Sequence, residues 1–187
     1  MTWEQRGYER ALDGFQETLS RVRVWTVPSP CAQWTAYDVA GHMIGGQYLI
    51  KALALGESVP DVNTGPGRYC TPDPLVAWEK ARTGCAAVLG EDALGRPVPM
   101  GALGEVPLGD FLGGYILELL THTWDLATAT GQDADLPADL VHHAFATAQV
   151  VAPALRSAGH LGPPRTPPAR ASEQTRLLAF LGRQEQP

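Results

Sequence analysis

Cysteine is scarce: Cys31, Cys70 and Cys85 are odd in number and widely spaced along 187 residues. They fit neither a disulfide framework nor a Cys-x-x-Cys metal site, which points to a reducing compartment. An excess of cationic residues is also missing. The formal net charge is -6 and the pI about 5.3, with the acidic residues scattered rather than gathered into runs. This removes the electrostatic footprint of a nucleic-acid binder or of a protein held on anionic membranes. No apolar run approaches the roughly 20 residues that cross a bilayer. The first ten residues are charged and lack the apolar stretch of a signal peptide, so a cytoplasmic location is expected. Nucleophile elbow, phosphate loop and dinucleotide fingerprint are all absent.

Glycine and proline, by contrast, are abundant, at twenty and sixteen residues. Neither suits a helix interior, so the excess is expected in connections. Between these breakers the apolar residues follow a helical period. Tyr8, Leu12, Phe15, Leu19 and Val22 give an amphipathic helix over 3–22. Val27-Pro28-Ser29-Pro30 ends it in a turn. Thr35, with Asp38 three residues on, is the expected N-cap of a second helix, and Gly56 its stop. The inward stripe of that helix is Val39, His42, Met43, Gly46, Leu49, Ile50 and Leu53.

A long loop is expected over 57–71, then a third helix over 74–89 with Leu75, Trp78, Ala81, Cys85 and Val88 inward. Residues 96–107 read as a loop or a short hairpin with Gly in the turn. Asp110 is the expected cap of a fourth helix over 111–130, which Gly131 closes. A fifth helix over 138–158 follows Pro137. A Pro-rich linker over 162–171 leads to a short last helix that Ser172 caps and that ends at Gly182. The pattern describes one domain over 1–187, an all-α bundle with short appendages.

The fourth helix carries the segment with most chemistry, Glu118-Leu119-Leu120-Thr121-His122-Thr123-Trp124-Asp125. Glu118 and His122 are four residues apart and project from one face, beside the apolar stripe of Leu112, Tyr115, Leu119, His122, Leu126 and Ala129. A carboxylate on an inward face is costly unless it is paired or binds a metal. His42 holds an equivalent inward place on the second helix. Packed helices lie about 8 to 10 Å apart, so His42, Glu118 and His122 can converge on one divalent ion and leave coordination positions open. A plain hydrogen bond between Glu118 and His122, with His42 as a satisfied core residue, remains the competing reading.

Asp125 is placed to orient the His122 ring, or else it is an exposed helix residue. Gly45-Gly46, one turn after His42, either opens room for a ligand or permits close helix packing. Cys31 reads as a small buried hydrophobe and Trp34 as a packing staple before a substrate platform. His142 and His143 point in different directions, with His143 expected in solvent. His160 gives no usable signal.

Three segments carry a family resemblance. The first runs Pro28-Ser29-Pro30-Cys31-Ala32-Gln33-Trp34-Thr35 into Asp38, Val39 and His42-Met43-Ile44-Gly45-Gly46. The second is Glu118 to Gly131, and the third runs from Ala171-Ser172-Glu173 to Leu181-Gly182-Arg183. In these the chain resembles the DinB-like, metal-binding helical proteins related to the N-terminal domain of mycothiol-dependent maleylpyruvate isomerase. The resemblance implies an up-and-down four-helix bundle. It also implies a metal, commonly zinc with nickel, iron or cobalt as alternatives, held by His42, Glu118 and His122. Met43 and Tyr37 stand where Leu and Arg are expected, which implies a changed pocket. The chain stops without the isomerase's additional C-terminal domain, so activity on maleylpyruvate itself is not expected.

The function implied is a metal-dependent isomerase or thiol S-transferase. The metal would deprotonate a low-molecular-weight thiol such as mycothiol for attack on a small electrophilic substrate. A thiol-independent hydrolase, lyase or cyclase is the alternative, and a non-enzymatic metal- or ligand-binding bundle is the third reading. Monomer and homodimer are both compatible with the sequence.

Overall fold

In the computed structural model, residues 1–101 and 104–183 are described. Residues 102–103 of the expected hairpin region and 184–187 at the end of the expected domain lie outside the described residues. Helix α1, Trp3–Ser20, begins with a reciprocal cap: the Thr2 side chain accepts from the Gln5 N–H, and the Gln5 side chain accepts from the Thr2 N–H. Helix α2, Ala36–Leu55, repeats the device with Thr35 and Asp38, and Gly56 ends it at φ 72°. Each cap satisfies backbone donors that a helix start leaves unpaired.

Helix α3 spans Pro74–Ala86, capped by Asp73 with proline in its first turn. It is shorter than the 74–89 expected, and its buried face is Ala77, Trp78, Ala81 and Cys85. Leu75 in the first turn is exposed and Val88 only half-buried, so neither is the inward residue the period suggested. A short α4, Glu91–Leu94, was not foreseen. Strands β1 (Pro97–Pro99) and β2 (Glu105–Pro107) then pair antiparallel, with Val98 opposite Val106. Gly101 and Gly104, between the strands, take φ 58° and 81°, a backbone region that glycine enters without strain.

Helix α5, Leu108–Ala129, grows directly out of β2. Asp110, expected as its cap, lies inside the first turn, because Pro107 already takes the cap position. Its charge still favours the positive end of the helix dipole. Helices α6, Ala138–Ser157, and α7, Glu173–Phe180, complete the chain, with Ser172 accepting from the Thr175 N–H. Among the described residues no helix is long and apolar enough to cross a membrane.

Helix α5 is the organiser. It packs on α1, α2 and α6, while α2 also packs on α3, and α7 rests on α6. The result is an all-α, DinB-like bundle with small additions. Phe15, Met43, Ile44, Ile50, Trp78, Ile116 and Leu119 are fully enclosed in its core. The Phe15 and Trp78 rings meet at 4.8 Å between centroids, tying α1 to α3. Burying side chains of this size stabilises by about 1.5–3 kcal/mol each.

The expectation that glycine belongs to connections is corrected by α2 and α5. Gly41, Gly45 and Gly46 lie inside α2, and Gly109, Gly113 and Gly114 inside α5. A Cβ at Gly41 would stand 2.2 Å from the Pro66 carbonyl oxygen, and one at Gly46 only 1.8 Å from the Tyr115 hydroxyl. Close approach is therefore what these glycines serve. The 57–71 loop contains a 3-10 turn, Pro66–Cys70, that lies against α2 at Gly41.

Candidate metal centre

Helices α2 and α5 run side by side, and their facing turns carry the three residues singled out by periodicity. His42 Nε2 and His122 Nε2 each lie 3.5 Å from Glu118 Oε2. One ligand atom from each of the three falls within 4.8 Å of the others. Bonds of about 2.1 Å around a tetrahedral ion put neighbouring donors about 3.4 Å apart. The two histidine–Glu118 separations lie close to that value, and the three residues could hold a divalent ion between them. Both rings are buried, whereas the Glu118 side chain is 38% exposed and faces a cavity.

Each imidazole has an oxygen facing its other nitrogen. His42 Nδ1 lies 3.0 Å from the Val62 carbonyl oxygen, so that nitrogen carries the proton and donates it. This leaves the Nε2 lone pair free to coordinate. The 57–71 loop thus acts on the site by holding a histidine. His122 Nδ1 lies 3.0 Å from Asp125 Oδ2, at ion-pair distance but outside good hydrogen-bond alignment. Asp125 is 0% exposed, so it is not the exposed helix residue that the sequence also allowed. Its carboxylate takes two bonds from Arg183, Nη2 to Oδ2 at 2.9 Å and Nε to Oδ1 at 3.3 Å.

The charges of this cluster support one another. Burial alone would raise the Glu118 carboxyl, but the imidazoles of His122 and His42 beside it hold it well below its ordinary range. Burial opposes charge on His122 as well, yet Asp125 and Glu118 outweigh it and raise the ring above its ordinary value. Asp125 would likewise rise on burial, and the Arg183 charge together with His122 keeps it low.

The cavity beside the cluster measures about 910 Å³. Trp34 covers the imidazoles, its ring 4.9 Å from His42 and 5.8 Å from His122 between centroids. The turn that places it is tight: Trp34 donates its N–H to the Cys31 carbonyl at 3.1 Å, and Gln33 takes φ 69°. Trp34 is therefore part of the site and more than a staple at the helix start. Cys31 lines the same cavity, and burial pushes its thiol up to about 11.

The far wall comes from the connection between α6 and α7 and from the turn after α7. Residues 159–165 and 181–183 line the cavity, His160 among them. The Pro-rich 162–171 linker is mostly exposed and is tied to α7 at Arg165. The Arg165 N–H donates to the Ala179 carbonyl at 2.8 Å, and Arg156 donates to the Gly162 and Phe180 carbonyls.

Other expectations are corrected. Of the two readings of Gly45-Gly46, close packing is the one that holds, since Tyr69 and Tyr115 fill the space where a ligand was the alternative. Met43 is sealed in the core and Tyr37 packs against Trp25, and neither lines the cavity. His143 is half-buried, bonded to the Gly113 carbonyl at 2.8 Å and set against the Trp3 ring, rather than solvated. His142 is exposed and pairs with Glu173 at 3.0 Å. Arg183 was not foreseen as a site residue. The signal available was the cost of burying Asp125, which demands a cationic partner.

Comparison with known proteins agrees with this picture. Residues 6–127 match the family model described as the mycothiol maleylpyruvate isomerase N-terminal domain. Two similar proteins come from Mycobacterium tuberculosis: uncharacterized protein MT0763 of strain CDC 1551 / Oshkosh and uncharacterized protein Rv0738 of strain H37Rv. Each is 35% identical over 185 residues, covering 94% of this chain and 95% of the relative. No solved structure matches. The helical bundle, the His42–Glu118–His122 cluster and the sequence match agree, and the chain belongs to the mycothiol maleylpyruvate isomerase N-terminal domain family.

Proposed function

We propose that this protein is a metal-dependent enzyme that uses a low-molecular-weight thiol of the mycothiol type against a small electrophilic substrate, as an isomerase or a thiol S-transferase. One observation carries the reading. Two imidazole nitrogens each lie 3.5 Å from the same carboxylate oxygen on the wall of an open cavity. Three protein donors leave at least one coordination position for an exogenous group, which a purely structural site does not do. Zinc is the ion proposed, because nitrogen and oxygen donors at tetrahedral spacing suit it.

A divalent metal held by His42, Glu118 and His122 would supply Lewis acidity that favours the thiolate form of a bound thiol near neutral pH. The chain's own residues do the positioning. Val62 fixes the His42 ring with Nε2 inward, and Asp125 faces His122 Nδ1 from behind. The Trp34 ring covers both imidazoles and keeps water from that side. The cavity has room for thiol and substrate together, since about 910 Å³ lies at the upper end of ordinary ligand sites. The free thiols of Cys31, Cys70 and Cys85 suit a reducing compartment, the cytoplasm in this proposal.

The test incubates zinc-loaded protein with mycothiol and a panel of small electrophiles. Thiol-dependent product or adduct is expected from the wild type and is expected to vanish in His122→Ala. Turnover that is equal without thiol would replace this reading with the hydrolase, lyase or cyclase alternative. Protein that binds no metal at all would defeat both.

A further inference from the structure

The C-terminal end of the chain lies outside the segment matched by the family model, yet it reaches the buried side of the proposed metal site. The path begins in α7. That helix ends in a glycine-capped turn: the Gly182 N–H donates to Ala179, and the Arg183 N–H donates back to Leu178 at 2.8 Å. Gly182 sits at φ 81°, and a Cβ there would stand 3.0 Å from the Pro163 carbonyl oxygen. This is the left-handed ending that glycine provides most readily. It fixes the Arg183 backbone one residue past the turn.

From that position the guanidinium runs inward. Its side chain is 12% exposed, and its Nη1 is held by the Leu181 carbonyl at 3.3 Å. Nη2 and Nε close a two-point contact on Asp125, and the same carboxylate presents Oδ2 to His122 Nδ1. A two-point contact fixes the plane of a carboxylate as well as its charge, which a single-point cation cannot do. A carboxylate fixed in this way constrains the ring it faces.

We infer that Arg183 is a positioning residue for the metal site, acting through Asp125 on the orientation of His122. The inference rests on the metal reading above and extends it to a part of the chain that carries no ligand. Its consequence is that the C-terminal helix α7, the glycine turn after it and the metal ligand on α5 act as one assembly. Arg183 is not a ligand of the ion in this role.

The experiment measures metal affinity with the full chain, using zinc competition and the visible spectrum of a cobalt(II) substitute. Folding is followed in parallel by circular dichroism. Arg183→Met is expected to weaken zinc binding about 10- to 100-fold, the usual loss when the group behind a ligand is removed. The cobalt spectrum is expected to change, because the ligand field reports ring orientation. Arg183→Lys, which keeps the charge and loses the fork, is expected to restore binding only in part.

Asp125→Asn supplies the decisive comparison, and it holds even where Arg183→Met alone proves too unstable to purify. In the Asp125→Asn background, adding Arg183→Met is expected to cost no further zinc affinity. A further tenfold loss in that background would overturn the inference. So would Arg183→Met protein that folds and binds zinc with wild-type affinity and spectrum. Wild-type protein without metal affinity would instead remove the underlying reading, so the two failures are distinguishable.

Discussion

Gly46 and the Tyr115 hydroxyl occupy adjoining space so tightly that a Cβ at position 46 would lie 1.8 Å from the phenolic oxygen. The contact joins α2 to α5 one turn beyond His42, and Tyr115 also lines the cavity. Gly46→Ala is therefore expected to push Tyr115 aside and to destabilise the fold by about 1–3 kcal/mol, the usual range for overpacking. Gly14→Ala is the control, because nothing lies within 4 Å of a Cβ there. In the middle of α1 that change is expected to stabilise by about 0.5–1 kcal/mol. Urea melts of the two variants should move in opposite directions.

Metal binding is expected to appear as stability. A ligand that binds only the folded chain adds about 2.7 kcal/mol at a hundred times its Kd. Thermal melting with zinc and with chelator should therefore separate the wild type clearly. His42→Ala should bring the two curves together, and a persisting zinc shift in that variant would mean that the ion binds elsewhere.

The pH dependence follows from the signs of the shifts. In metal-free protein His122 is held above its ordinary 6.5. Its contribution is full below 6.5 and is lost as pH rises through the folded value. Glu118 and Asp125 are held low, so theirs is present above their ordinary values and lost as pH falls through the lowered ones. The proton on His122 competes with the ion, since a metal-bound imidazole must be neutral. Zinc affinity is expected to begin falling above pH 6.5 as the solution is acidified, with protons released on binding. Calorimetry in buffers of different ionisation enthalpy measures that release, and an affinity that stays flat across neutral pH would contradict the assignment.

The start of α2 offers a local test. Thr35 and Asp38 cap one another at the end from which Trp34 reaches over the imidazoles. Thr35→Ala is expected to cost about 1 kcal/mol. Because the cap also fixes the approach of Trp34, the variant should change the fluorescence response of the protein to zinc. An unchanged stability would show that the Asp38 contacts suffice.

Much of the local structure was legible in single stretches of chain. The Thr35–Asp38 cap, the Gly56 and Gly131 stops and the period of α1 are governed by neighbours within about four residues, so sequence spacing alone describes them. The pairing of Glu118 with His122 belongs to the same class, since one turn of helix sets it. Helix ends were harder: Asp110 resembled a cap, but the hairpin delivers the chain into α5 at Leu108. The inner glycines were misleading because their reason, the Pro66 carbonyl and the Tyr115 hydroxyl, lies far away in sequence.

By itself, then, the amino-acid order determined a helical protein with His42 and the Glu118–His122 pair facing inward, because helical period and end chemistry are short-range effects. Only the tertiary structure decided that Val62 would hold His42, that Trp34 would cover both rings, and that Arg183 would neutralise Asp125. Apart from Trp34 on the nearby His42, these contacts join residues twenty or more positions apart. They depend on how helices and loops close on one another, and the spacing of residues along a chain carries no direct record of that.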